Sequence, residues 1–451
     1  VDEDNFNSPV LRIRAAEIPA HPGRIRTEQG SSELPPGFIM LFHSATGRPL
    51  TSYNEFMKDV AVAGRTNPEQ WEHTQKSYAD DGANYETFLH FRNKTLESAG
   101  FQDLKDYAAQ LATAISSQTG QPFADNTRRR RVGTIVAYYE WGHEKGYFSR
   151  VMPPRTGVLP AGLKYKAGVS KADKSVRRLV PAKPRPDEKV NFIPTAVVRR
   201  VLKQLGPSVD LRPAGGAPSR DRLIAESALG TGARLVSLVS VEVIDVLNAE
   251  RLIDPHDANQ ILSISVRTKG RPRGRILVPQ ALLLRWLVYY RGERAEICRR
   301  VVERLGTSRE LSAKLFLNHI NSNDRDLGRA VSEDIVSRAF TAAMFAIGHT
   351  KIVRRVDVDE HGVPRVDARN QYIWIETEVA ANSFHDLRHT YVSMTYHQMK
   401  KAGQRDPWKV ISLSLDHALV STTVDTYGKH VAIDESLLSV AMDNVIFGLD
   451  D

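Results

Sequence analysis

Residues 151 to 190 break the chain more forcefully than any other stretch, because Pro153, Pro154, Pro160, Pro181, Pro184 and Pro186 are scattered there among glycine, serine and lysine. Proline fixes φ and removes a backbone donor, so neither a helix nor a central strand runs through such a segment. At 451 residues the chain exceeds what one ordinary core holds. The break therefore reads as a linker between separately folded parts. Ten basic residues (Arg155, Lys164, Lys166, Lys171, Lys174, Arg177, Arg178, Lys183, Arg185, Lys189) face three acids (Asp173, Asp187, Glu188) in it, which gives +7 of the chain's net +9. Charge concentrated in this way suits a segment lying along a phosphate backbone, with Lys164, Lys166, Arg177 and Arg178 as candidate contacts. A merely soluble, flexible linker is the plainer alternative.

On the N-terminal side, residues 1 to 60 mix Pro, Gly and charge without sustained periodicity and read as a tail or arm. From 61 to 150 helical patterning takes over: Leu104, Tyr107, Ala108, Leu111 and Ile115 recur as one buried helix face requires. The last helix of this part is expected to start at Asn126 or Thr127 and to carry Arg128, Arg129, Arg130 and Arg131 in its first turn. Cations there oppose the helix dipole, which points to an external phosphate. Beyond the linker the pattern is mixed. Helices are expected at 195–205, 219–230, 280–297, 332–346, 385–402, 406–415 and 434–446, with a hairpin folding Ile261, Ser263 and Ser265 back on Ile276, Leu277 and Val278.

The densest chemistry lies in Ser383-Phe384-His385-Asp386-Leu387-Arg388-His389-Thr390. On a helix His385 and Arg388 share a face, with Leu387, Tyr391 and Met394 opposite, toward a core. An imidazole and a guanidinium presented together suit a phosphodiester: one forks onto two oxygens, the other moves protons near neutral pH. The rival is a metal site, since His385 and His389 with Asp386 loosely imitate H-E-x-x-H, although no third ligand is evident.

About thirty residues on comes Leu415-Asp416-His417-Ala418-Leu419-Val420-Ser421-Thr422-Thr423-Val424-Asp425-Thr426-Tyr427-Gly428-Lys429-His430. This run resembles the signature that closes the catalytic domain of the tyrosine recombinase, or phage-integrase, family. By that resemblance Tyr427 is the nucleophile, His417 the active-site His/Trp position, and His385 and Arg388 the His-x-x-Arg pair. Gly230-Thr231-Gly232-Ala233-Arg234 resembles the family's first-arginine turn, and Lys269 in Thr268-Lys269-Gly270-Arg271-Pro272 its hairpin lysine. The helix ending in Tyr139-Glu140-Trp141-Gly142 is similar to the last helix of the family's core-binding domain. Three features depart from the pattern: Ser237 stands where many relatives carry Glu, Asp416 replaces a Gly, and 319–380 is longer than a minimal catalytic domain needs.

The resemblance implies an all-α, SAM-like core-binding domain (61–150), then a mainly helical α+β catalytic domain (191–451) with a small antiparallel sheet and a C-terminal helix. It implies cleavage and rejoining of double-stranded DNA through a 3′-phosphotyrosine, without metal or nucleotide cofactor, by a homo-tetramer on paired sites or alongside partner recombinases. Arg128 to Arg131, Arg271 and Arg273 join the linker as candidate DNA contacts. A type IB topoisomerase or hairpin-end resolvase uses nearly the same residues, and a silent DNA-binding regulator would keep the fold alone. Composition agrees with a polyanionic partner: the pI is near 9.4. The lone Cys298 fits a reducing compartment, and no apolar run approaches the roughly 20 residues of a membrane span. A cytoplasmic protein of a prokaryote, phage or mobile element is the expectation.

Overall fold

The structure is a computed structural model. It describes residues 9–15, 24–27, 30–35, 37–63, 71–148, 190–268, 271–307, 310–360, 363–415 and 420–428. The chain divides into two compact units, Val1–Arg185 with Arg354–Glu376, and Pro186–Val353 with Thr377–Asp451. The mainly helical fold with small antiparallel sheets expected from the sequence is what is found. Among the described residues no helix is long and apolar enough to cross a membrane.

In the first unit β1 (Val10–Arg14) pairs antiparallel with β4 (Ile39–His43), and β2 (Arg24–Thr27) with β3 (Gly30–Glu33). Helices α1 (Thr51–Phe56, prolonged by a π-helical turn to Ala63), α2 (Trp71–His90), α3 (Phe101–Thr113) and α4 (Asp125–Glu144) follow. The expectation of a tail over residues 1 to 60 fails for the described part. Val10, Phe38, Leu41, Tyr53 and Phe56 lie in the same core as Tyr85, Tyr107, Ile135 and Tyr138. Side-chain amides complete the strand edge where a further strand would otherwise sit. Asn54 bonds the backbone N–H and C=O of Leu41 at 2.8 and 2.9 Å, and Gln75 does the same for Ile39 at 3.2 and 2.7 Å. Helix α4 begins at Asp125, one or two residues before the expected Asn126 or Thr127, with Ala124 in the capping position, and Asp125 takes up Arg128. Two of the four arginines serve the interior. Arg130 donates to the buried Asp81 carboxylate at 2.6 Å, and Arg131 lies 3.8 Å from it.

The segment Arg354–Glu376, part of the unexplained length in 319–380, packs in this unit. Val356 N–H donates to Gly120 O at 2.7 Å, and the Gln121 amide donates to Arg354 O. Gly120 adopts φ +63°, and a Cβ there would lie 2.5 Å from Val356 O. Glycine is required at this turn both by conformation and by space.

The second unit holds α5 (Thr195–Leu205), α6 (Arg220–Thr231), α7 (Leu235–Val239), α8 (Val243–Glu250) and the hairpin β5 (Ile261–Thr268) and β6 (Arg271–Pro279). Helix α9 (Gln280–Tyr289) passes through a π turn into α10 (Ala295–Leu305), so the helix expected at 280–297 runs eight residues further. After α11 (Glu333–Ala346), strands β7 (Thr350–Val356) and β8 (Trp374–Ala380) pair, residues 354–356 and 374–376 of them being grouped with the first unit, and α12 (Asp386–Lys401), α13 (Pro407–Ser414) and α14 (Val420–Thr423, continued as a π turn to Gly428) close the described chain. Helix α6 is the axis: it packs on α5, α9, α12 and β6. Trp286, fully buried, fixes α9 to it by donating to Ser227 Oγ at 2.8 Å. The helix expected at 434–446 lies outside the described residues.

Glu86 on α2 is buried, and that burial, helped by Glu97, pushes its pKa up to about 8. Desolvation pushes His43 down, so the 3.7 Å approach of His43 Nδ1 to Glu86 joins two neutral groups at pH 7. A carboxyl whose folded pKa lies above its unfolded one, ordinarily near 4.3, adds stability that is complete below the unfolded value and is lost as pH rises through the folded one. Thermal unfolding between pH 5 and 9 is therefore expected to show stability falling toward pH 8. Glu86→Gln should remove that fall and exceed the native chain at pH 8.5 by about 2 kcal/mol.

Candidate active site

The site grows from the end of α6. Gly232 takes a left-handed conformation (φ 65°, ψ 11°), its N–H bonding Ala228 O at 2.9 Å, and so stops the helix. The Thr231 hydroxyl steadies both sides of the turn, donating to Ser227 O at 2.6 Å and accepting from Ala233 N–H at 3.1 Å. Arg234 then stands at the start of α7, its carbonyl accepting from Ser237 N–H at 2.9 Å. Ser237, where the sequence resemblance leads to the expectation of a Glu, is buried and supports the turn through its backbone, its carbonyl accepting from the Ser240 hydroxyl at 2.8 Å. Nothing bulkier than glycine fits at 232: a Cβ would lie 2.3 Å from the Tyr391 ring and 2.8 Å from Leu415.

Helix α12 approaches this turn with its first residues. His385 sits in the capping position and is exposed, whereas Arg388, expected to share that exposure, is buried at 4%. Its Nη1 donates to Gly232 O at 2.5 Å and its Nη2 to Leu415 O at 3.2 Å. The guanidinium is thus drawn into the gap between the ends of α6 and α13, where orphan helix carbonyls collect. Met394 is 44% exposed, and Val392 and Tyr396 take the core positions it was expected to share. Tyr391 is half-buried and donates from its hydroxyl to Ser414 Oγ at 3.0 Å.

Tyr427, on the π turn after α14, is only 2% exposed and packs with Val392, Tyr396, Ile411 and Leu415. Its hydroxyl lies 3.2 Å from His389 Nδ1 and hydrogen-bonds Arg388. Burial raises the phenol pKa, while Arg388 and Arg234 work to lower it. Reciprocally, burial and then the charge of Arg234 push Arg388 down to about 10, so it stays protonated at neutral pH. The His385 and His389 rings meet edge to face with centroids 4.8 Å apart, and Asp386 Oδ1 lies 4.0 Å from His389 Nε2.

Of the six residues singled out from sequence, Arg234, Arg388 and Tyr427 converge here and His385 borders them. Lys269 and His417 lie outside the described residues, as do Asp416 and the linker's Lys164, Lys166, Arg177 and Arg178. The hairpin flanking Lys269 is described, pairing as far as Thr268↔Arg271. Nothing is described of the side chains of Arg271 and Arg273. Sequence reasoning missed His389 as a partner of the tyrosine, admitting it only to the metal alternative. The signal was present in the i, i+3 spacing of Asp386 and His389. Among the described residues no group of three His, Cys, Asp or Glu is arranged to hold a metal ion.

Among solved structures the chain is similar to a lambda integrase (residues 75–356) dimer bound to a COC′ core site, at 14% identity and TM-score 0.43 over 84% of this chain and 95% of that one. It is also similar to the XerH site-specific recombinase bound to a palindromic difH substrate (11% identity, TM-score 0.42, 87% and 94% covered). A third is the Tn1549 transposon integrase in complex with circular intermediate DNA (13%, 0.40, 83% and 94%). No family model and no curated protein matches.

Replacing Gly232 by Ala forces a side chain into the left-handed region and into Tyr391 and Leu415. Urea unfolding is expected to show a loss of about 2–4 kcal/mol. Gly37→Ala, also at positive φ but with open space around it, should cost clearly less.

Proposed function

We propose that this chain is a tyrosine site-specific DNA recombinase, which cleaves and rejoins DNA strands through a 3′-phosphotyrosine at Tyr427. One observation carries the proposal: the Tyr427 hydroxyl is enclosed by the Arg388 guanidinium and the His389 imidazole, with Arg234 close enough to act on it electrostatically. A free phenol ionises near pH 10 and is a poor nucleophile at neutral pH. Two cations beside it favour the charge that develops on the phenolic oxygen and on the phosphate as a phosphodiester is attacked.

In this mechanism Tyr427 attacks the scissile phosphorus, and Arg234 and Arg388 hold the non-bridging oxygens. Two of the five N–H groups of Arg388 are donated to backbone carbonyls, so its fork meets the phosphate already oriented. His385 and His417 assist proton transfer and hydrogen-bond the phosphate. Lys269 protonates the departing 5′ oxygen. Double-stranded DNA is the partner, held by the basic linker and by Arg128, Arg129, Arg271 and Arg273, and strand exchange takes place in a tetramer on paired sites. The net charge of +9 supports a polyanionic partner. No cofactor is called for, because the phosphotyrosine conserves the energy of the bond that was broken.

The test is covalent capture. Duplex oligonucleotides with a randomised segment, nicked so that cleavage releases a short fragment, are incubated with the protein and resolved under denaturing conditions. The native chain is expected to retain a covalent DNA adduct, and Tyr427→Phe to retain none. An adduct that persists in Tyr427→Phe overturns the nucleophile and redirects attention to Tyr391 and Tyr396.

A further inference from the structure

His389 occupies a place that the mechanism above leaves without a role. Its Nδ1 is 3.2 Å from the Tyr427 hydroxyl, and the rings are 5.5 Å apart and tilted by 58°. On its other side, Nε2 faces Asp386 Oδ1 at 4.0 Å. Asp386 is itself fixed: its Oδ2 accepts from Ser383 N–H at 2.8 Å and from the Asn382 amide at 3.2 Å. Asn382 Oδ1 is in turn within 2.9 Å of His349 Nε2. The imidazole is thus flanked by a hydroxyl at hydrogen-bond distance and a carboxylate at ion-pair distance, and further donors anchor the carboxylate. An imidazole between a carboxylate and a hydroxyl is the arrangement by which a weak nucleophile is deprotonated as it attacks.

We propose that His389 is the general base for Tyr427, with Asp386 as the positioning residue behind it. This presupposes the nucleophilic role of Tyr427. With its proton on Nε2, toward Asp386, the His389 ring turns the Nδ1 lone pair to the phenol. As the phenolic oxygen forms its bond to phosphorus, the phenolic proton passes to Nδ1. The bond from phosphorus to the 5′ oxygen breaks, and that oxygen leaves with a proton from the acid on its own side. The new imidazolium is stabilised by the Asp386 carboxylate. In rejoining, the 5′ hydroxyl attacks, the tyrosine departs, and His389 returns the proton to it, so the residue acts as base in cleavage and as acid in ligation.

The experiment uses the full chain and the nicked duplex captured by the native protein. His389→Asn keeps a polar group of similar reach but cannot hold the proton. Its adduct formation is expected to slow about 100-fold, with duplex binding and melting temperature unchanged. A fluorinated tyrosine incorporated at 427, a stronger acid than tyrosine, should restore most of the lost rate, because a phenol that ionises more readily needs the base less. A native adduct rate in His389→Asn overturns the proposal, and so does a loss that the fluorinated residue leaves unrelieved. Should His389→Asn fail to fold, Asp386→Asn takes its place, with a slowing of about 10-fold that the same fluorinated residue relieves; no slowing, or no relief, overturns the proposal. If the native chain forms no adduct on any duplex, the recombinase assignment itself falls and takes the base with it. Adduct formation by the native chain with an unaffected His389→Asn removes the base alone.

Discussion

A buried guanidinium governs the second unit. Removing a charge from water costs several kcal/mol unless hydrogen bonds replace the lost hydration, and Arg388 finds replacements in the carbonyls of Gly232 and Leu415 and in the Tyr427 hydroxyl. Each partner belongs to a different element: the end of α6, the end of α13, and the turn after α14. Helix ends carry carbonyls that the helix itself does not satisfy, so the arginine and the two helix ends solve each other's deficit. Three elements are held in register because one cation needs all of them.

That cation also sets the state of the phenol. Burial favours the neutral hydroxyl and the two arginines favour the phenolate, with burial the larger effect. The resting side chain is therefore a neutral phenol, and its proton must be passed on when a bond to it forms. An imidazole at 3.2 Å provides the destination.

Much of this was legible in the sequence, because it depends on local patterns. The helices α5, α6, α11, α12 and α13 lie within a residue or so of where periodicity and caps put them, and the hairpin β5–β6 follows from its alternation and its turn. The illegible parts depend on distant partners. Strands β1 and β4 are five residues each, too short for alternation to register, and their burial comes from helices tens of residues away. Arg130 looked like a solvent-facing cation until its partner Asp81, 49 residues earlier, was in view. Arg388 read as exposed because a helical wheel shows which residues share a face but not that helix ends waited to receive a guanidinium. The packing of Arg354–Glu376 in the first unit has no local signature at all, since it turns on a glycine more than two hundred residues earlier.

Gly232 separates the chemistry of this site from its shape. Its contribution to the arginine is a carbonyl oxygen, which every amino acid possesses, so no substitution there can delete the acceptor. What substitution changes is the room, because Tyr391 and Leu415 already occupy the volume beside it. A substitution at this position therefore acts through shape, while the chemistry belongs to the main chain. A smaller ring at 391 or a shorter aliphatic chain at 415 would relieve the crowding at 232, but the left-handed backbone there would still disfavour a side chain.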